Sequence, residues 1–101
     1  MEARPSNVTL LLLTQEQCSF CEQAKEIIGR LAVEYPLAVT MLDLNSSEGQ
    51  AHALRGGILF PPGIFLDGEP FSYGRLSERK LRREIERRLK RNEGVDSATA
   101  L

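Results

Sequence analysis

The sequence predicts an α/β domain with a four-stranded mixed sheet flanked by three helices, in the order β-α-β-α-β-β-α. Three observations predict it. A continuous apolar run, Val8–Leu13, reads as a strand covered on both faces. A 3.6-residue periodicity follows it directly, over Cys21, Ala24, Ile28 and Leu31, and then a second apolar strand follows that. Near the end, Asp67-Gly68 separates two short strand-like segments and marks a tight antiparallel hairpin.

Each element has its own signal. After Val8–Leu13 comes a polar loop, Thr14–Gln17, and the first helix begins around Ser19. Tyr35-Pro36 ends it, because the residue before a proline avoids helical backbone angles. Val39–Leu44 is the second strand, and the intervening helix makes a parallel, right-handed βαβ unit the expected connection. Asn45-Ser46-Ser47 supplies N-cap chemistry for a short helix ending near Arg55, closed by Gly56-Gly57. Ile58–Phe60 leads into the double proline Pro61-Pro62. Ile64–Leu66 and Glu69–Tyr73 are the hairpin strands. The last helix opens at Ser77, with Leu81, Ile85 and Leu89 as its apolar stripe. This reading divides the chain into a flexible leader (1–7), one domain (8–91) and a disordered tail (92–101).

Composition excludes several classes. With 101 residues, 42% hydrophobic and 27% charged, the chain can bury a core without needing a disulfide to fold. Its net charge of −1 gives no general attraction to nucleic acid or membranes. The one long apolar run is too short to span a bilayer and carries no cleavage pattern, so a cytoplasmic monomer is expected. In that reducing compartment a close cysteine pair points to redox chemistry or metal binding rather than a structural staple.

The chain has two cysteines, Cys18 and Cys21. Cys18 falls just past a strand, at the first turn of a helix. Unpaired N–H groups and the helix dipole stabilise negative charge there, and hence a thiolate. Cys21 lies one turn in, on the core-facing stripe. That placement makes Cys18 the nucleophile toward a substrate disulfide and Cys21 the thiol that resolves the mixed disulfide. Zinc binding is the weaker reading, since two cysteines supply half a tetrahedral set and His52 is the lone histidine, expected at the surface. No resident cofactor or metal is expected. A rival from another class is a carrier that holds an iron-sulfur cluster or metal through Cys18 across a dimer.

The segment "CSFCEQAKEII" resembles the active-site stretch of glutaredoxins, with Phe20 between the cysteines and Ala24-Lys25 after them. "PPGIFLDGE" resembles the same family's cis-proline, strand, Asp-Gly turn and strand. Together with the element order, these place the chain in the thioredoxin-like fold. The resemblance spans Val8 to Lys90. It implies a dithiol oxidoreductase acting on a disulfide-containing protein, with Pro62 as the cis-proline of a substrate groove that also takes in Phe20, Pro61, Gly74, Arg75 and Ser77. It also implies an electron donor, either glutathione or thioredoxin reductase.

Three departures bear on glutathione. Gln15 stands where the family carries a lysine, and Glu16 follows it. Pro61 has no N–H to offer a substrate backbone. The segment "YGRLSE" keeps one of two family glycines, Gly74, with Arg75 and the helix start at Ser77 left to hold a carboxylate. The last helix has eight Lys/Arg against three Glu over Ser77–Arg91. It is expected to be a solvated face with Glu78–Arg82 and Glu84–Arg88 pairs.

Overall fold

A computed structural model describes the backbone of residues 7–100 and the side chains through Arg91. The elements are β1 (Val8–Thr14), α1 (Ser19–Glu34), β2 (Leu37–Asp43), α2 (Ser47–Gly56), β3 (Gly63–Leu66), β4 (Glu69–Tyr73) and α3 (Glu78–Ala100). The order is the expected one. Of the expected leader, residues 1–6 lie outside the described residues. The α3 trace runs through the segment expected to be a disordered tail, where side chains lie outside the described residues.

The sheet order is β2-β1-β3-β4. β1 pairs in parallel with β2 and antiparallel with β3, and β3 pairs antiparallel with β4. The two central strands are the most apolar, and every residue of β3 is buried. The edge strands β2 and β4 have no fully buried residue. Pro70 is tolerated because β4 is an edge, and the register slips between Ile64 and Phe65, where a bulge takes up one extra residue.

Alternation along the strands makes two cores. Val8, Leu10 and Leu12 of β1 and Ile64 and Leu66 of β3 pack against Ala24, Ile28 and Leu31 of α1 and Leu81 and Ile85 of α3. On the opposite face Leu13 and Phe65 pack with Ala53 of α2 and Ile58. Asp67 and Gly68 both have positive φ, 51° and 82°, as a tight hairpin turn requires.

The basic helix is tied down more than its sequence suggests. The expected Glu78–Arg82 and Glu84–Arg88 pairs form at 3.5 and 2.7 Å. Two ties to α1, Arg30–Glu78 at 2.7 Å and Arg82–Glu34 at 2.5 Å, are invisible in the helix pattern. Arg88 is not part of a solvated face. It is buried, and reaches Glu84, Asp67, Glu69 and the Leu66 carbonyl. His52 lies on the surface of α2 as expected, but partly covered. Its ring is half-buried, edge-on to Phe65 at 5.7 Å, and Arg55 Nη2 lies 2.5 Å from its Nδ1.

Candidate active site

The β1–α1 loop delivers Cys18 as the N-cap of α1. Its backbone is extended (φ −128°, ψ 105°), and its Sγ accepts the Cys21 N–H at 3.1 Å. Capping residues hold their side chain over the free N–H groups of a helix, which here places sulfur where negative charge is stabilised. Gln17, just before it, has φ 55°, so the chain turns sharply into the helix. Cys21 is fully buried one turn on, against the end of the core, whereas Cys18 is partly exposed. Their Cα atoms are 5.2 Å apart, and the two sulfurs are joined as a disulfide. Among the described residues, no group of three or more His, Cys, Asp or Glu converges as a metal set.

The second side of the site comes from the segment before β3. The Pro61–Pro62 bond is cis, and Pro62 is buried. Gly63, next in sequence, pairs with Leu13, so Pro62 and the loop to Cys18 leave the same end of adjacent strands. Gly74 closes the far side, its N–H donating to the Pro62 carbonyl at 2.9 Å. It has φ 81°, and a Cβ there would sit 2.9 Å from the Phe60 ring. The positive φ is what favours glycine, since the exposed Phe60 ring could move aside.

The predicted site residues divide into two groups. Cys18, Cys21, Pro61, Pro62 and Gly74 gather at one end of the sheet. Phe20 is exposed in the first turn of α1, beside the cysteines. Arg75 is exposed just after Gly74. Ser77 is occupied as a cap, accepting the Lys80 N–H at 3.2 Å. The helix it starts meets α1 at Arg30, three turns beyond Cys18.

Phe60 and Tyr73 were not found by sequence reasoning. They are exposed, edge-to-face at 5.1 Å, and Phe60 lies over Gly74. The signal was available in part, since an aromatic directly before a double proline has no strand of its own to be buried in. A cavity of about 320 Å³ also adjoins the β1–α1 loop. Glu16, Glu22 and Asp43 line it against a single cation, Lys25, which is paired with Glu22 at 3.2 Å. That surround is acidic.

No protein-family profile matches the chain. It is 31% identical to a thioredoxin of Methanocaldococcus jannaschii over 84 residues, covering 83% of this chain and 99% of that protein. It is 30% identical to a probable thioredoxin of Archaeoglobus fulgidus over 86 residues, covering 85% and 93%. A mutant of the thioredoxin of Halobacterium salinarum superposes with a TM-score of 0.66 at 28% identity, covering 81% of this chain and 74% of that one. The glutaredoxin resemblance of the cysteine segment therefore sits within a chain that matches thioredoxins over more than four-fifths of its length. The chain belongs to the thioredoxin family, and with Cys18 and Cys21 at the head of α1 it is a thiol-disulfide oxidoreductase.

Proposed function

We propose that the protein reduces disulfides in protein substrates by a dithiol mechanism and is recharged by a thioredoxin reductase-type flavoprotein rather than by glutathione. One observation carries the mechanism. Cys18 is partly exposed at the helix cap while Cys21 is fully buried, so an incoming disulfide can meet only one of them.

In the reduced protein the Cys18 thiolate attacks one sulfur of the substrate disulfide. The substrate S–S bond breaks, and its other sulfur leaves as a thiolate and takes up a proton. Cys21 loses its proton and attacks Cys18 Sγ. The mixed disulfide breaks, the second substrate sulfur leaves as a thiol, and the Cys18–Cys21 disulfide forms. Two electrons have passed to the substrate. The reductase's dithiol returns them by the reverse exchange.

The choice of donor rests on charge. Glutathione is anionic, and Glu16, Glu22 and Asp43 outnumber the engaged Lys25 beside the loop.

Cys21→Ser tests both parts by intact mass. Incubated with a disulfide-cyclised peptide, it is expected to gain one peptide, and Cys18→Ser none. With oxidised glutathione the gain is expected to be about tenfold slower. Adduct formation on Cys18→Ser overturns the roles. Glutathionylation as fast as peptide capture overturns the donor.

A further inference from the structure

We propose that the cavity between one flank of α2 and the sheet face beneath it binds a small organic monoanion, a carboxylate carried on a flat apolar body. The site is separate from the disulfide, and the inference does not rest on the exchange reading above.

The cavity measures about 440 Å³, within the range of about 300–1,000 Å³ usual for small-molecule sites. Its floor is apolar, made by Leu42, Leu11 and Phe65 from the three neighbouring strands β2, β1 and β3. Its wall is α2, through Glu48, His52 and Arg55. The i, i+4, i+7 spacing puts these three on one flank of the helix, beside the buried Gly49 and Ala53. The core uses none of them.

Close backbone approach holds the cavity open. Near the start of α2, a Cβ on Gly49 would lie 2.1 Å from the Asp43 carbonyl oxygen. At its end, a Cβ on Gly56 would lie 2.6 Å from the Phe65 ring. The helix is thus seated on the sheet at both ends and cannot settle further onto the floor. Leu11 and Leu42 stay half-buried beneath it.

The polar groups of the wall are arranged in advance. The Arg55 guanidinium lies over the Phe65 ring, 5.6 Å from its centre, with Nη2 2.5 Å from His52 Nδ1. A guanidinium only donates, so Nδ1 accepts and the imidazole keeps its proton on Nε2. That contact uses one donor of the Arg55 fork and leaves the others. Among the described residues, no ion pair engages Arg55. A fixed cation with donors to spare beside an apolar floor matches a carboxylate on an apolar body. Glu48 stands at the other end of the wall, about 10 Å along the helix. It too is in no ion pair among the described residues, and it repels a second negative charge. The cavity therefore favours a monoanion over both its neutral counterpart and a dianion.

The test titrates the full chain with 2-naphthoate, neutral 2-naphthamide and the dianion naphthalene-2,6-dicarboxylate, followed by amide proton–nitrogen correlation spectra. Naphthoate is expected to shift the amides of Leu11, Thr40, Leu42, His52 and Arg55 saturably, and to bind about tenfold tighter than either control. Arg55→Met keeps the stem and is expected to bind naphthoate and naphthamide alike. Glu48→Gln is expected to bring the dianion to within about twofold of naphthoate. Both residues are exposed, so neither variant disturbs the core. No saturable shift at these amides overturns the proposal, and so does a shift confined to Cys18 and its neighbours. Naphthamide binding as tightly as naphthoate overturns it, as does a naphthoate preference that survives in Arg55→Met. Continued rejection of the dianion by Glu48→Gln overturns the selection for a single charge.

Discussion

The two faces of the sheet are built to different standards. One is covered by α1 and α3 and holds a continuous core in which Val8, Leu10, Leu12, Leu31, Ile64, Leu66, Leu81 and Ile85 have no exposed surface. The other is covered by α2 alone, over Leu13, Phe65, Ala53 and Ile58. Along β1 the second face opens with distance from the cysteines. Leu13 is buried, Leu11 is half-buried and Thr9 is exposed. A cavity of about 440 Å³ lies between Glu48, His52 and Arg55 of α2 and Leu11, Leu42 and Phe65 of the sheet. Stability is concentrated on the helix-paired face, and the thinly covered face keeps its packing for the end that positions Pro62.

Adjacent residues of one strand give the largest test of that comparison. Leu12→Ala removes a fully buried side chain from the helix-paired core and is expected to cost about 3 kcal/mol in urea unfolding. Leu11→Ala makes the same chemical change on the other face, beside an open cavity, and should cost about 1 kcal/mol. Equal losses would mean that the second face is as tightly packed as the first.

Two helical glycines sharpen the contrast with opposite signs. Helix propensity alone favours alanine over glycine by about 1 kcal/mol at either position. Around Gly29 of α1 a Cβ would meet nothing within 4 Å, so Gly29→Ala is expected to stabilise by about 0.5–1 kcal/mol. At Gly49 a Cβ would lie 2.1 Å from the Asp43 carbonyl oxygen. That contact is backbone, and it sits where Ser46 N–H and Oγ both donate to Asp43 O and so hold α2 to the end of β2. Gly49→Ala is expected to cost about 2 kcal/mol by pushing α2 off the sheet. Thermal unfolding of the two variants with matched wild type measures both. A stabilised Gly49→Ala would show that α2 is not docked this closely.

What the sequence made legible was local. The Cys18 cap, the Asp67-Gly68 turn, the Leu81 and Ile85 stripe and the i, i+4 pairs all involve neighbours along the chain, where backbone rules act directly. The hidden features depend on the tertiary fold. Arg88 looks like one more cation in a charged run until the β3–β4 turn is laid against α3. His52 looks exposed until Phe65 is placed under α2. Phe60 comes beside the site only through Gly74, just past the end of β4. The cysteine segment alone suggested glutaredoxins, and the family is set by matches that run over more than four-fifths of the chain.

Arg88 offers the smallest and most specific test, because it clamps the helix-paired face to the hairpin. Burial works against its charge, but Glu69, Glu84 and Asp67 at 2.6, 2.7 and 3.1 Å outweigh it and hold the guanidinium ionised. Arg88→Met keeps most of the stem's packing and removes the charge. The carboxylates it leaves can turn to water or, for Glu84, to Arg87. The expected cost at neutral pH is about 1.5 kcal/mol. Hydrogen bonding from Arg87, and then from Arg88, holds the Glu84 carboxyl below its usual range. A depressed folded-state pKa stabilises above the unfolded value of about 4.3 and loses that contribution as pH falls through the folded one. Arg87 stays in the variant, so only the Arg88 share of that shift separates it from wild type; the gap should be widest above about pH 5 and narrow as the pH drops below about 4. Urea midpoints at pH 6, 4 and 3 measure it. A gap that stays constant down to pH 3 would mean that the loss does not come from the ion pairs with Asp67, Glu69 and Glu84.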